Sequence, residues 1–320
     1  MTQTQSHWAL LQENSFVWGI KILVWVYRLL GRGVFRVLLR LVVSYYFVKG
    51  RTARTASREY LQRLGQFFPE LALSGSLSDS YRHFLRFGEN LLDKIIVWSG
   101  DITPEQIDFP NRPLLLDLIE QKRGAMLLSG HIGNLEICKA IANLRGQIRL
   151  NILVHTRHAE KFNRLLGGNT GTATIQLIQV TELTPSIAIE LQEKIERGEF
   201  IVLVGDRIPV NSSRTVQASF LGQTATFPQG AYLLASLLRC PVYTLFCYAV
   251  QDGFRVELEP FAESIRIPRT EPQRLQMLET LARRYAERLE NLCHNQPLQW
   301  FNFYPYWQTI DDNTDTELTR

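Results

Sequence analysis

Cysteine is scarce: the 320 residues hold four, Cys138, Cys240, Cys247 and Cys293. None forms a Cys-x-x-Cys pair, and no Cys/His ligand spacing occurs, so neither a zinc site nor a disulfide framework is indicated. Three lie inside apolar segments and read as buried thiols of a reducing compartment. Long apolar runs are also lacking. Between Lys21 and Lys49 the longest uncharged stretch has eight residues, whereas a spanning helix needs roughly 20. No short apolar core followed by a cleavage pattern is present, which excludes an ordinary secretory signal. There is no internal repeat, so a solenoid is excluded.

What is present is a globular composition, 45% hydrophobic and 21% charged, in a chain long enough for one large domain or two modest ones. The net charge of +4 is uneven. Residues 1–60 carry nine Lys/Arg and two Asp/Glu, a balance of +7, which leaves −3 for the remainder. Such asymmetry points the N-terminal part toward something anionic: a membrane surface, a nucleic acid or an acidic carrier protein.

Residues 16–48 read "FVWGIKILVWVYRLLGRGVFRVLLRLVVSYYFV". At about 100° per residue, Lys21, Arg28, Arg32, Arg36 and Arg40 fall within an arc of roughly 120°, and most of the remaining surface is aromatic or aliphatic. This is a basic amphipathic helix, or two helices broken near Gly31 and Gly33. It suits an interface, with apolar side chains in acyl chains and arginines at anionic headgroups. A helix packed on the protein's own core with a basic outer face is the competing reading.

Residues 51–118 are expected to be mainly helical. "ASREYLQRLGQFF" and "SLSDSYRHFLRFGENLLDKIIVW" repeat apolar residues at three and four, with Ser78 or Asp79 as a cap for the second. From 124 the texture changes. "AMLLS", "IRLNILV", "IQLIQV", "FIVLV" and "PVYTLFCYAV" read as buried strands, with helices between them at about 134–145, 158–167, 184–197 and 228–238. A further helix spans about 270–293, before "QPLQWFNFYPYW", which suits a lipid-facing aromatic belt or core equally. The expected fold is α/β, a largely parallel sheet flanked by helices, preceded by an N-terminal amphipathic membrane-associated helical segment. Its divisions are 1–60, then 61–310 with a helical lead-in to about 118, then a disordered tail at 311–320.

Two histidines have a glutamate five residues on: His131 and Glu136 in "LLSGHIGNLEIC", and His155 and Glu160 in "VHTRHAE". With six histidines and 31 acidic residues in 320, about 0.6 such pairs arise by chance (six times 31/320), so spacing alone decides nothing. Context does. His131 directly follows a strand, where open α/β sheets place their sites. Gly130 and Gly133 permit a tight turn and close substrate approach. Glu136, in the first helical turn, can reach back to the imidazole. "HTRHAEKFNR" has no glycine and resembles a polar helix start.

Further motifs follow in order: Gly205-Asp206-Arg207 after "VLV", then Phe227-Pro228-x-Gly230 opening a helix, then Pro241-Val242. The order H-x4-E, an Arg-containing stretch, GDR, F-P-x-G and P-V resembles the lipid A late acyltransferase branch of the lysophospholipid acyltransferase superfamily. "QWFNFYPYW" is similar to that branch's C-terminal segment. The N-terminal "HWALLQENSFVWGIKILVWVYRLLGRGVFRVLL" resembles acyltransferases of aryl polyene pigment clusters. Ile132 and Leu135 stand where that branch often has tryptophan.

The resemblance implies a membrane-associated enzyme at the cytoplasmic face of the inner membrane. The donor would be an acyl carrier protein or coenzyme A thioester, and the acceptor a lipid or glycolipid hydroxyl. No cofactor, metal or nucleic acid is called for. His131 is the expected general base, with Glu136 fixing its tautomer. Gly133 and Asn134 of the same motif, Arg157, Lys161 and Arg164 of the basic stretch, Asp206 and Arg207, and Phe227, Pro228 and Gly230 are the expected substrate-binding residues. A thioesterase-like hydrolase and a non-catalytic lipid-binding protein are the rivals. His131→Ala is expected to cut product formation by several orders of magnitude with folding retained, Glu136→Ala to cause a smaller but large loss, and Glu160→Ala to matter little. Unchanged turnover in His131→Ala, measured by mass spectrometry of the acylated product, rejects the assignment.

Overall fold

The computed structural model describes residues 25, 33–99, 102–138, 148–154, 175–180, 184–209 and 214–307. The helix expected at 158–167, much of that at 134–145, and the tail at 311–320 lie outside the described residues. The framework is a seven-stranded sheet of β1 (Ile107–Asp108), β2 (Ala125–Ser129), β3 (Leu150–Val154), β4 (Ile175–Gln179), β5 (Phe200–Val204), β8 (Val242–Val250) and β9 (Gly253–Ala262). Their order is β1-β9-β8-β2-β5-β3-β4. A separate antiparallel hairpin joins β6 (Thr215–Phe220) to β7 (Gln223–Pro228).

Strands β8, β2, β5, β3 and β4 run parallel. Each strand read from the sequence as a continuous apolar run is among them. Such runs are what a parallel sheet covered on both faces requires. Met126, Leu128, Ile201 and Leu203 enter one core; Ala125, Leu127, Phe200 and Val202 enter the other. Strand β9 is different. "GFRVELEPFA" alternates buried and less buried residues, and pairs antiparallel with β8. Its polar alternation hid it among the longer runs.

On the first face lie α2 (Arg51–Phe67), α5 (Pro185–Glu196), α6 (Gly230–Leu238) and α7 (Gln273–Asn295), which contribute Leu61, Leu191, Leu234 and Leu289 to the larger core. On the second, α4 (Arg112–Glu120) inserts Leu115 and Leu118. The C-terminal aromatic segment is core rather than belt: Trp300 is fully buried and Phe301 and Tyr306 nearly so.

Residues 33–49 form α1, which buries Phe35, Leu39 and Val43 against Phe84, Leu92 and Ile96 of α3 (Leu77–Ser99). Its opposite face is exposed yet still apolar: Val34, Val37, Leu41, Tyr45 and Val48. Among the described residues no helix is long and apolar enough to cross a membrane. The α3 cap is Ser76 rather than Ser78 or Asp79. Ser76 Oγ accepts the Asp79 N–H, and Asp79 Oδ2 accepts the Ser76 N–H in return. This reciprocal pair satisfies donors that a helix start leaves free.

His83 ties these helices to the C-terminal segment. Its Nε2 lies 3.0 Å from the Trp300 carbonyl and its Nδ1 3.0 Å from Ser57 Oγ. A carbonyl only accepts, so Nε2 carries the proton and Nδ1 accepts from Ser57. Burial pushes His83 from 6.5 down to about 4, despite the opposing bond to Trp300. Between those values the unfolded chain binds a proton here and the folded chain does not. Stability fully present above pH 6.5 is therefore lost as pH falls toward about 4, by on the order of 3 kcal/mol. Asp79 and Asp206, both held below the ordinary carboxylate value of 3.8, add their losses only at lower pH. Urea unfolding of the full chain across this window should show the loss, and His83→Asn should remove it while lowering stability at neutral pH. An unchanged slope in His83→Asn contradicts the assignment.

Candidate active site

Strands β2 and β5 pair in parallel with Ser129 opposite Val204. His131 and Asp206 each stand two residues beyond that pair, so the register delivers both side chains to the same end of the sheet. His131 Nδ1 lies 2.7 Å from Asp206 Oδ1, and the His131 backbone N–H donates to Asp206 Oδ2 at 2.8 Å. The Trp300 indole N–H also donates to Oδ2, at 2.9 Å. The Asp206 side chain is fully buried and that of His131 is 30% exposed.

Burial works against ionising Asp206. The His131 charge, both His131 hydrogen bonds and the Trp300 hydrogen bond outweigh it and hold the carboxyl below its ordinary range. An ionised Asp206 accepts only, so Nδ1–H is the donor of this bond. When the ring is neutral the lone pair is on Nε2, on a side chain that is 30% exposed. This arrangement can accept a proton at Nε2 and stabilise the imidazolium that results.

The loop after His131 is held against β8 and the C-terminal segment. Gly133 has φ +64°, and a Cβ there would fall 2.1 Å from the Cys247 carbonyl oxygen, so only glycine fits. The Gly133 N–H donates to the Gln299 carbonyl and the Asn134 N–H to the Cys247 carbonyl. The Gly133 N–H is thus already bonded within the protein. Asn134 is buried; its Oδ1 accepts the Glu136 N–H, and among the described residues its Nδ2 has no hydrogen-bond partner. At Gly130 a Cβ would meet Tyr285 Oη at 2.9 Å and Asp206 Oδ2 at 3.2 Å. Tyr285 Oη itself donates to the Ser129 carbonyl at 2.8 Å.

The carboxylate 2.7 Å from His131 Nδ1 is that of Asp206; the sequence expectation names Glu136 for that place. Glu136 is half-buried on the same loop as His131. Arg207 Nε donates to Asn302 Oδ1 and its Nη2 to the Phe301 carbonyl, while the Phe301 N–H donates to the His131 carbonyl. Arg207 therefore braces the segment that flanks His131. Phe227 is fully buried, with its ring 6.0 Å from that of Tyr285, so it packs behind the site. Pro228 ends β7, and Gly230 starts α6 where a Cβ would meet nothing within 4 Å among the described residues. Arg157, Lys161, Arg164 and the His155/Glu160 pair lie outside the described residues. Trp300 and Tyr285 were not singled out from sequence, because nothing in their spacing links them to the loops they reach. No group of three or more potential metal ligands occurs among the described residues.

A comparison with curated proteins finds no match. The family described as bacterial lipid A biosynthesis acyltransferase matches over residues 3–309. That span takes in the His131 loop, the Asp206 turn, the basic stretch and the aromatic C-terminal segment together, and the chain belongs to the bacterial lipid A biosynthesis acyltransferase family.

Proposed function

We propose that the protein is a membrane-associated O-acyltransferase. It moves a fatty or polyene acyl group from an acyl carrier protein or coenzyme A thioester to a lipid or glycolipid hydroxyl. Family membership supports acyl transfer as the reaction class. The observation that carries the residue assignment is the 2.7 Å contact between His131 Nδ1 and Asp206 Oδ1. His131 Nε2 takes the acceptor's hydroxyl proton as that oxygen attacks the thioester carbonyl. The tetrahedral intermediate collapses, the C–S bond breaks, and the imidazolium returns its proton to the departing thiolate. Asp206 stabilises the imidazolium throughout. No enzyme nucleophile is needed, since the acceptor brings the hydroxyl.

Glu136 remains a second acidic residue of the motif, and the two carboxylates make distinguishable predictions. Asp206→Asn keeps an oxygen for its donors but turns an N–H₂ toward Nδ1, which favours the wrong tautomer. A loss of several hundredfold or more in turnover is expected. Glu136→Gln should cost less. Assays offer acyl carrier protein and coenzyme A thioesters with a lipid extract, and mass spectrometry identifies the products. A larger loss in Glu136→Gln returns the orienting role to that residue. Free acid in place of acylated lipid supports hydrolysis instead.

Membrane association through residues 16–48 rests on α1. Its outward Val34, Val37, Leu41, Tyr45 and Val48 leave an apolar stripe that the core does not use, with the exposed Arg36 and Arg40 beside it. This is the pattern of a helix lying in an interface, at the cytoplasmic leaflet in this reading. Val37→Asp/Leu41→Asp in the full chain leaves Phe35, Leu39 and Val43 in place. Most of the double variant should move from the membrane pellet to the supernatant. Undiminished pelleting with anionic vesicles contradicts the interfacial role.

A further inference from the structure

We propose that Trp300 is a positioning residue for the His131–Asp206 pair, acting through its indole N–H. The proposal rests on the reading of that pair as catalytic. A carboxylate turns about its Cβ–Cγ bond with little resistance, so its two oxygens need separate anchors to hold one orientation. Oδ1 faces His131 Nδ1; Oδ2 takes both the His131 backbone N–H and Trp300 Nε1–H. The indole is the one side-chain donor on Oδ2 among these bonds, and it is fully buried.

The indole's own position is tightly determined. Tyr60, Phe220 and Tyr306 meet its ring edge-on at 4.9, 5.2 and 4.9 Å between centroids. Its carbonyl accepts from His83. Its two chain neighbours grip the catalytic loop directly: the Gln299 carbonyl accepts the Gly133 N–H, and the Phe301 N–H donates to the His131 carbonyl. Residues 299–301 therefore index the base through its backbone and the acid through its carboxylate at the same time. Core packing alone asks a buried indole N–H for some acceptor; here the acceptor is the carboxylate that faces His131 Nδ1.

The test separates the N–H from the ring. Trp300→Phe keeps an aromatic side chain and removes the donor. Benzothienylalanine at position 300 keeps the bicyclic shape and replaces the N–H by sulfur. Each should lower kcat by about tenfold to a hundredfold, the range for losing one hydrogen bond to a charged group, with KM for the acyl donor changed less than about twofold. In the Asp206→Asn background either replacement should cost less than about twofold more, because the group it acts through has already gone. Losses that multiply across the two sites, or a folded benzothienylalanine protein with full turnover, overturn the proposal. So does a benzothienylalanine protein that fails to fold, which assigns the N–H to stability. If Asp206→Asn itself leaves turnover intact, it is the catalytic reading of the pair that has failed.

Discussion

The parallel pairing of β2 with β5 is the constraint on which the site depends. Ser129 opposite Val204 fixes which residues emerge together at the strand ends, and both loops then leave the sheet in the same direction. A shift of one residue would exchange the faces of every side chain on a strand and send His131 and Asp206 to different sides. Everything else at the site keeps that pair in place: the glycine at 133 against β8, the C-terminal segment across the loop, Tyr285 beneath Ser129.

A buried carboxylate is costly unless it is both charged-paired and hydrogen-bonded. Asp206 is bonded by three donors from two chain segments about 75 and 94 residues away in sequence, and it is charge-paired when His131 is protonated. This long reach couples chemistry to folding. The aromatic segment at 299–307 cannot be loosened without loosening the carboxylate. Through His83 and Ser57 the same segment reaches α3 and α2, and α3 carries α1 on its other side. The helical layer that presents the apolar stripe outward is thus part of one packed unit with the site.

The sheet was largely legible from the sequence because burial on both faces writes itself as "AMLLS", "FIVLV" and "VYTLFCYAV". The short β1 and the alternating β9 carried no such signature. The His131 loop was legible for a local reason, a glycine-flanked histidine at a strand end. The identity of its partner was not. Local spacing favours Glu136, whereas Asp206 is brought in by strand adjacency, and no one-dimensional pattern states that β5 is β2's neighbour. Trp300 stood inside an aromatic motif, and its indole N–H meets Asp206 only because the C-terminal segment crosses the His131 loop. The outer face of α1 was half legible. Helical periodicity separated charge from apolar surface, but not the part of that surface which α3 would cover.

The central claim is that Asp206 holds the Nδ1 proton of His131. Proton NMR of nitrogen-15-labelled full-length protein in detergent micelles observes that proton directly. A strongly downfield, slowly exchanging imidazole N–H is predicted, lost in Asp206→Asn and retained in Glu136→Gln. Its persistence in Asp206→Asn, or its loss in Glu136→Gln, would contradict the account.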